Sequence, residues 1–360
     1  MTTLSLAMIV KDEAVTLARV LADAAAVCDE LVVVDTGSVD GTVDIALAAG
    51  ARVEQFPWVD DFAAARNASF AACTSDWVLW LDADDRLTPE VQARLTAYKE
   101  SLLSDDLDAV YVPYRYAYSE DGQSCVLQLH RERLLRRAAG LRWDGAVHED
   151  ISVPDPSRAI TLTDVWVEHR PVMVVRATRT GRNLRILERV VSGGDRSLRT
   201  LLYHGNELAA NNRHEEAIAA WAEYVDGAPV GWERTEALLS MARSMRALGR
   251  IDDLETTVHR LLRAAPERAE PWVLGGLHHF DAGRWAEAVP YFLAATGCMA
   301  PAEGFVVVND YGYVPWDFLA VCWHNLGDQR RALEALGKSV DGNPERERLI
   351  DNAGWILKKW

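Results

Sequence analysis

Over its first hundred or so residues the chain alternates short, almost continuous apolar runs with amphipathic stretches, and this pattern constrains the fold more than any other feature. Leu4 to Val10, Leu31 to Val34, Ala51 to Phe56 and Trp77 to Leu81 read as strands, with helices at Ala14 to Val27, Val39 to Ala49 and Phe62 to Ala72 between them. Strands that lack in-out alternation are buried on both faces, as happens when helices cover both sides of a parallel sheet. The βαβαβαβ order therefore predicts a doubly wound α/β domain. Ligands of such sheets bind beyond the carboxyl ends of the strands. That rule groups Lys11-Asp12-Glu13, Asp35-Thr36-Gly37-Ser38 and Asp82 to Asp85 around one crevice.

From about Asp108 to His169 the runs become shorter and β-like (Ala109 to Tyr114, Val126 to Leu129, Ala159 to Val167), with many arginines between them. They read as mixed strands completing the same domain. Val174 to Val191 reads as one basic amphipathic helix, and Ser192-Gly193-Gly194-Asp195 as a linker. Beyond residue 200 the sequence repeats. Gly249-Arg250 and Gly283-Arg284 each separate two helical patterns and lie 34 residues apart, the period of a tetratricopeptide helix pair. Asn212-Arg213 precedes the first by 37 residues and Gly327-Asp328 follows the second by 44. Small or apolar residues at Ala217, Leu254, Ala288 and Ala332 follow the turns, and Pro229, Pro266 and Pro344 punctuate the ends of the second helices. The expected organisation is a domain over 1–172, a linking helix and linker over 173–195, and an all-α repeat domain over 196–360. An insertion around Pro301 to Pro315 is rich in aromatics and either lines a groove or plugs a gap between repeats, plugging being preferred.

Composition narrows the partners. A net charge of -16 argues against nucleic acid, whose phosphates are bound by clustered Lys and Arg. An acidic protein that binds a polyphosphate relies instead on a few placed cations or a metal. The opening MTTLSLAMIVKDEA has no basic n-region, and no apolar run approaches the roughly 18 residues of a spanning helix. Five scattered cysteines show no metal-ligand spacing. A cytoplasmic location without a membrane span is the expectation.

The strongest chemical signal is VLWLDADDRLTP, where an apolar strand ends in Asp82, Asp84 and Asp85. Like charges at a strand end cost free energy unless a cation sits among them, and oxygen ligands suit Mg or Mn. For Asp85, capping of the helix that starts near Thr88 is an equal alternative. Several motifs then agree in order: AMIVKDEA, LVVVDTGSVDGT, DDFAAARNASFAAC and DWVLWLDADD. Together they resemble the family 2 glycosyltransferases of GT-A fold, which carry a DxD motif at this topological position. The resemblance covers roughly the first 170 residues. With its repeats, the chain resembles the bacterial glycosyltransferases with C-terminal tetratricopeptide repeats, a group that includes the S-glycosyltransferases of glycocin peptides.

The resemblance implies a Rossmann-like GT-A domain with a mixed sheet, a UDP-sugar donor, a Mn or Mg ion and inversion at the anomeric carbon. It implies that Asp35 recognises the nucleobase, Asp82 the ribose or metal shell, and that Asp84 ligates the metal. Gly37 permits a tight turn and Asp40 caps the next helix. Arg66 is a candidate phosphate or nucleotide contact, with pairing to Asp60 or Asp61 as the alternative. RWDGAVHEDI matches the downstream acidic motif of GT-A enzymes, which makes Glu149 the candidate base and Asp150 the second choice. His169, after the last strand, is a candidate metal or diphosphate ligand, although Arg170-Pro171 departs from the Gly-Tyr pair the family often shows there. Arg131, Arg133, Arg136 and Arg137 either hold a diphosphate or form a charged face. Helical solenoids bind protein segments, so the acceptor is expected to be a peptide or protein; self-association as a homodimer is a competing use of the same helices. Two other classes remain open. A nucleotidyltransferase would show a Gly-rich basic loop where this chain has Lys11-Asp12-Glu13-Ala14, and a repeat-based scaffold with a degenerate transferase domain would have no need of Asp35, Asp82, Asp84 and Glu149 together.

Overall fold

A computed structural model describes residues 2–101, 103, 106–119, 122–171, 181–301 and 304–341. The chain forms two compact units, Met1–Tyr116 with Leu129–Asp195 and Ala117–Gln128 with Arg196–Trp360. The boundary at Asp195 falls at the expected linker, but residues 117–128 join the second unit because Leu127 and Gln128 pair with Val307 and Val306 of the insertion.

In the first unit, β1 (Leu4–Val10), β2 (Glu30–Asp35), β3 (Arg52–Gln55) and β4 (Trp77–Trp80) alternate with α1 (Leu17–Ala25), α2 (Thr42–Ala48) and α3 (Phe62–Ala72). β1 is central, parallel to β2 on one side and to β4 on the other. The strand order reverses there, so the ends of β1, β2 and β4 open on a shared crevice. Leu6, Met8, Val33 and Leu79 belong to one buried cluster, and Ala7, Val32, Val78 and Trp80 to another. Both faces of each strand are therefore covered. β5 (Asp85–Arg86) follows, then α4 (Pro89–Ser101), β6 (Ala109–Tyr118) and β7 (Cys125–Arg136). β7 lies antiparallel to β4 and makes the sheet mixed. It is twelve residues long, where the apolar pattern marks only Val126 to Leu129. β8 (Trp143–Asp144) pairs with β9 (Asp150–Ile151), β10 (Ala159–Thr161) pairs with β6, and β11 (Val167–His169) joins β6 to β5. The expected single run from Ala159 to Val167 is thus two short strands. α5 (Arg182–Ser192) ends the unit; residues 174–180 of the expected linking helix lie outside the described residues.

The second unit holds four helix pairs among its described residues: α6 (Leu198–Ala210) with α7 (His214–Gly227), α8 (Trp232–Ala247) with α9 (Ile251–Ala264), α10 (Ala269–Asp281) with α11 (Trp285–Ala295), and α12 (Tyr313–Asn325) with α13 (Gln329–Val340). The turn inside each pair contains one left-handed residue, Asn212, Gly249, Gly283 or Gly327, the conformation that closes a helix most cheaply with Gly or Asn. Ala217, Leu254, Ala288 and Ala332 are all buried between helices. Close approach is also required elsewhere: a Cβ on Gly276 would lie 2.5 Å from the Phe292 ring. The insertion folds back on the repeats. β12 (Val306–Val307) leads into a 3-10 turn at Val308–Tyr311, Arg268 donates to Phe305 O at 2.6 Å, and the Tyr311 hydroxyl donates to Glu270 at 2.6 Å. Pro344 lies outside the described residues. Among them, no helix is long and apolar enough to cross a membrane.

A carboxylate crevice at the strand ends

The crevice holds about 660 Å³ and is walled by the ends of β1, β4 and β6, the Val147-His148-Glu149 segment, His169 and the start of α5. Three of the four non-glycine residues with positive φ among those described, Asp12, Asp60 and His148, lie on its wall or beside it. Such conformations persist where surrounding structure holds them, which is common at functional sites.

The three aspartates after β4 have separate environments. Asp85 is 0% exposed. It accepts from Arg133 Nη1 at 3.0 Å, from the Tyr114 hydroxyl at 3.0 Å and from the Asp82 N–H at 2.9 Å. It is therefore not the cap of α4; Thr88 takes that place, accepting from the Val91 N–H at 3.4 Å. The Asp85 hydrogen bonds go to the buried arginine, to Tyr114 and to its own turn, and none of them to the first turn of α4. Arg133, also 0% exposed, lies between Trp80 and Tyr114, 3.7 and 4.2 Å from their ring centres.

Asp84 faces the crevice, its Oδ1 3.5 Å from His169 Nδ1. Nδ1 is 3.7 Å from Asp85 Oδ1 as well, and it is a buried nitrogen without a hydrogen-bond partner of good geometry. One ligand atom each from Asp84, Asp85 and His169 falls within a 4.8 Å span. Burial disfavours charge on His169, but the Asp84 and Asp85 oxygens outweigh it and lift the ring to about 10. Carboxylates that draw a proton to Nδ1 also favour a metal cation there. The two carboxylate oxygens suit Mn or Mg, and the imidazole favours a transition-metal ion, so the donor set fits a divalent cation such as Mn. The ring of Tyr116 stacks on His169 at 5.2 Å and 8° and fixes its plane.

Asp82 lines the crevice beside Arg66. Arg66 Nη2 donates to Asp82 Oδ1 at 2.7 Å, and its Nε donates to Glu149 Oε1 in a still closer contact. Burial works to raise the Asp82 carboxyl, yet Arg66 and Arg133 prevail and hold it at about 2. Neither expected alternative partner of Arg66 is used: Asp61 caps α3 by accepting from the Ala64 N–H at 2.9 Å, and Asp60 accepts from Trp58 Nε1 and pairs with Arg189.

Other expected residues fall differently. Asp35 is 1% exposed, and its carboxylate accepts from the N–H groups of Gly37 and Ser38 at 3.1 and 3.2 Å. The geometry gives it the role of shaping the turn, in which Gly37 has φ +102°; Lys11 and Thr36 form the wall at that end. Asp40 accepts from the Thr42 N–H at the start of α2. Asp150 begins β9 opposite Asp144 and is not on the wall, whereas Glu149 is. Of the four arginines on or beside β7, Arg131 reaches the crevice; Arg133 pairs with Asp85, Arg136 with Asp108, and Arg137 donates to Ser75 O. Sequence reasoning missed Tyr116 and the α5 residues Arg182, Asn183 and Arg185, all of which line the crevice. The basic face of that helix was legible, but nothing in its spacing ties it to the strand ends.

The fold and the site define an α/β domain with an acidic centre whose donor set fits a divalent ion, followed in the chain by helical repeats. Residues 5–153 match the family model described as Glycosyl transferase family 2. The chain thus carries a family 2 glycosyltransferase domain followed by tetratricopeptide-type repeats. It is 38% identical over 156 residues, 41% of this chain, to a TPR repeat-containing protein of Synechococcus elongatus. It is 26% identical over 196 residues, 53% of this chain, to the SPbeta prophage-derived glycosyltransferase SunS of Bacillus subtilis. The matches span 35% and 45% of those two relatives' lengths, less than half of each. Among solved structures, the TPR protein YrrB is similar at 14% identity with a TM-score of 0.38, over 51% of this chain and 87% of that one.

Proposed function

We propose that the protein transfers a sugar from a nucleotide donor, a UDP-sugar, to a peptide or protein acceptor with inversion at the anomeric carbon. One observation carries this reading: the crevice brings Asp84 and His169, which fit a divalent ion, together with Asp82 and with Glu149, a carboxylate poised on the same wall. When bound there, Mn or Mg supplies positive charge against the leaving diphosphate. Glu149 Oε1 is held by Arg66, while Oε2 makes no hydrogen bond among the described residues and is the atom expected to take the acceptor's proton. As that proton moves to Glu149, the acceptor forms its bond to the anomeric carbon, the bond from that carbon to the diphosphate oxygen breaks, and nucleoside diphosphate leaves. Lys11 and Thr36 flank the end of the crevice assigned to the nucleobase, on a turn shaped by Asp35. Stacked helix pairs form surfaces that hold extended segments, which favours a peptide or protein acceptor.

Purified protein with Mn is expected to hydrolyse a UDP-sugar slowly without acceptor, and Asp84→Ala to abolish this. Glu149→Gln is expected to retain donor binding, measured by calorimetry, and to lose transfer by at least about 10²-fold, in line with the worth of a positioned general base. A panel of nucleotide sugars that gave neither thermal stabilisation nor hydrolysis would sink the transferase reading.

A further inference from the structure

Among the described residues, Arg66 is the one cation with hydrogen bonds to both the Asp82 and the Glu149 side chains, and we propose that it is a positioning residue that fixes the general base relative to the donor-binding strand end. The inference rests on the reading of Glu149 as that base. Arg66 rises from α3, Asp82 follows β4, and Glu149 precedes β9, so three segments distant in sequence meet at one guanidinium. The guanidinium divides its fork: Nε serves Glu149 and Nη2 serves Asp82. It does not present two parallel N–H groups to one carboxylate but splits its donors between two, so one planar group sets the position of both carboxylates.

Three further features show that the arrangement is fixed. Arg66 is 7% exposed. Its guanidinium carbon stands 4.6 Å from the ring centre of Trp80 and 5.2 Å from that of Trp143, and those two rings meet edge to face at 4.9 Å. Its two carboxylates, however, both line the crevice. A buried, aromatic-walled cation therefore holds two groups that face the reaction space, and it occupies one oxygen of each. The other oxygen of Glu149 is then aimed by the ion pair rather than left to rotate. Small displacements of a base cost rates heavily, since a shift of about 1 Å can cost about 10²-fold. A lysine would keep the charge but has no rigid fork to serve both partners.

The test is a double-mutant cycle on the full-length protein, with Arg66→Lys and Glu149→Asp measured singly and together for sugar transfer, alongside the donor KM. Glu149→Asp keeps the carboxylate and shortens its reach. Positioning predicts that Arg66→Lys lowers kcat for transfer by roughly 10- to 100-fold with donor KM changed less than about threefold. It also predicts non-additivity: once Glu149 is shortened, Arg66→Lys has little further effect. Arg66→Gln extends the series, and circular dichroism and melting temperature show whether each variant is folded. Equal losses from Arg66→Lys in both backgrounds would overturn the proposal, as would a raised donor KM with kcat intact, which would make Arg66 a donor contact. Failure of the base reading looks different: Glu149→Gln would then transfer at full rate whatever stands at position 66.

Discussion

At the scale of single residues, the molecule solves a charge problem. Asp82, Asp84, Asp85 and Glu149 converge on one floor in a protein already carrying a net charge of -16. Arg66 pairs with Asp82 and Glu149 and Arg133 with Asp85, so three of the four charges are answered, which leaves the Asp84–His169 face as the place where a further cation would fit. The Arg133–Asp85 pair is wholly buried, and removing one partner from such a pair strands the other charge in a poorly solvated place. Arg133→Met is expected to lower stability by about 3–5 kcal/mol, measured by urea denaturation; a loss below about 1 kcal/mol would mean Asp85 finds another partner or a proton. Combining it with Asp85→Asn should recover part of the loss. The gathering of Asp84, Glu149 and His169 around one crevice was legible, because each follows a recognisable strand or motif. The partner of each arginine was not: Arg66 and Glu149 lie 83 positions apart, and Arg133 and Asp85 lie 48 apart. Linear pattern carries no information on such pairings.

At the scale of elements, strands with continuous apolar runs and helices with clear caps were readable, α3 to the residue, because burial on both faces and the Asp61 cap write themselves into local composition. β7 was not readable beyond its first residues. Arg131, Glu132, Arg133 and Arg136 interrupt any apolar run, and they are tolerated in a strand because Glu132 is held by Arg131 while Arg133 and Arg136 are neutralised by Asp85 and Asp108. The insertion at 305–311 offers an element-scale prediction. Burial, with Glu270 adding to it against Arg243, pushes the Asp310 carboxyl up to about 7. A carboxyl whose folded-state value is raised binds its proton more tightly folded than unfolded, so its contribution is greatest below the unfolded value, near pH 4, and is lost as the pH rises through about 7. Replacing Asp310 by Asn removes that loss. The melting temperature of Asp310→Asn minus that of the parent protein is expected to increase by a few degrees, roughly, between pH 5 and pH 8; a difference that stays flat over that interval would place the titration elsewhere.

For the molecule as a whole, the excess of acidic groups acts against compactness, and salt relieves that repulsion by shortening its range from about 30 Å at 0.01 M to about 8 Å at 0.15 M. Raising NaCl across that interval is expected to raise the melting temperature. At matched ionic strength, Mn is expected to add a further rise that Asp84→Ala loses, which separates screening from occupation of the Asp84–His169 face. A Mn effect that survives in Asp84→Ala would detach the ion from that face. The division into an α/β unit and a repeat unit was visible in the sequence, as was the change of character near residue 195. The transfer of residues 117–128 to the second unit was not, because it depends on the pairing of Leu127 and Gln128 with the insertion strand rather than on composition.

The left-handed residues at Asn212, Gly249, Gly283 and Gly327 carry a consequence of another kind. Each helix pair closes on the same backbone device, so each is a similar cassette with matching ends. Unequal recombination in the coding sequence that adds or removes one cassette restores the same junction on both sides. The length of the array is thus a heritable quantity that changes in whole steps, while the carboxylate crevice passes from parent to descendant untouched.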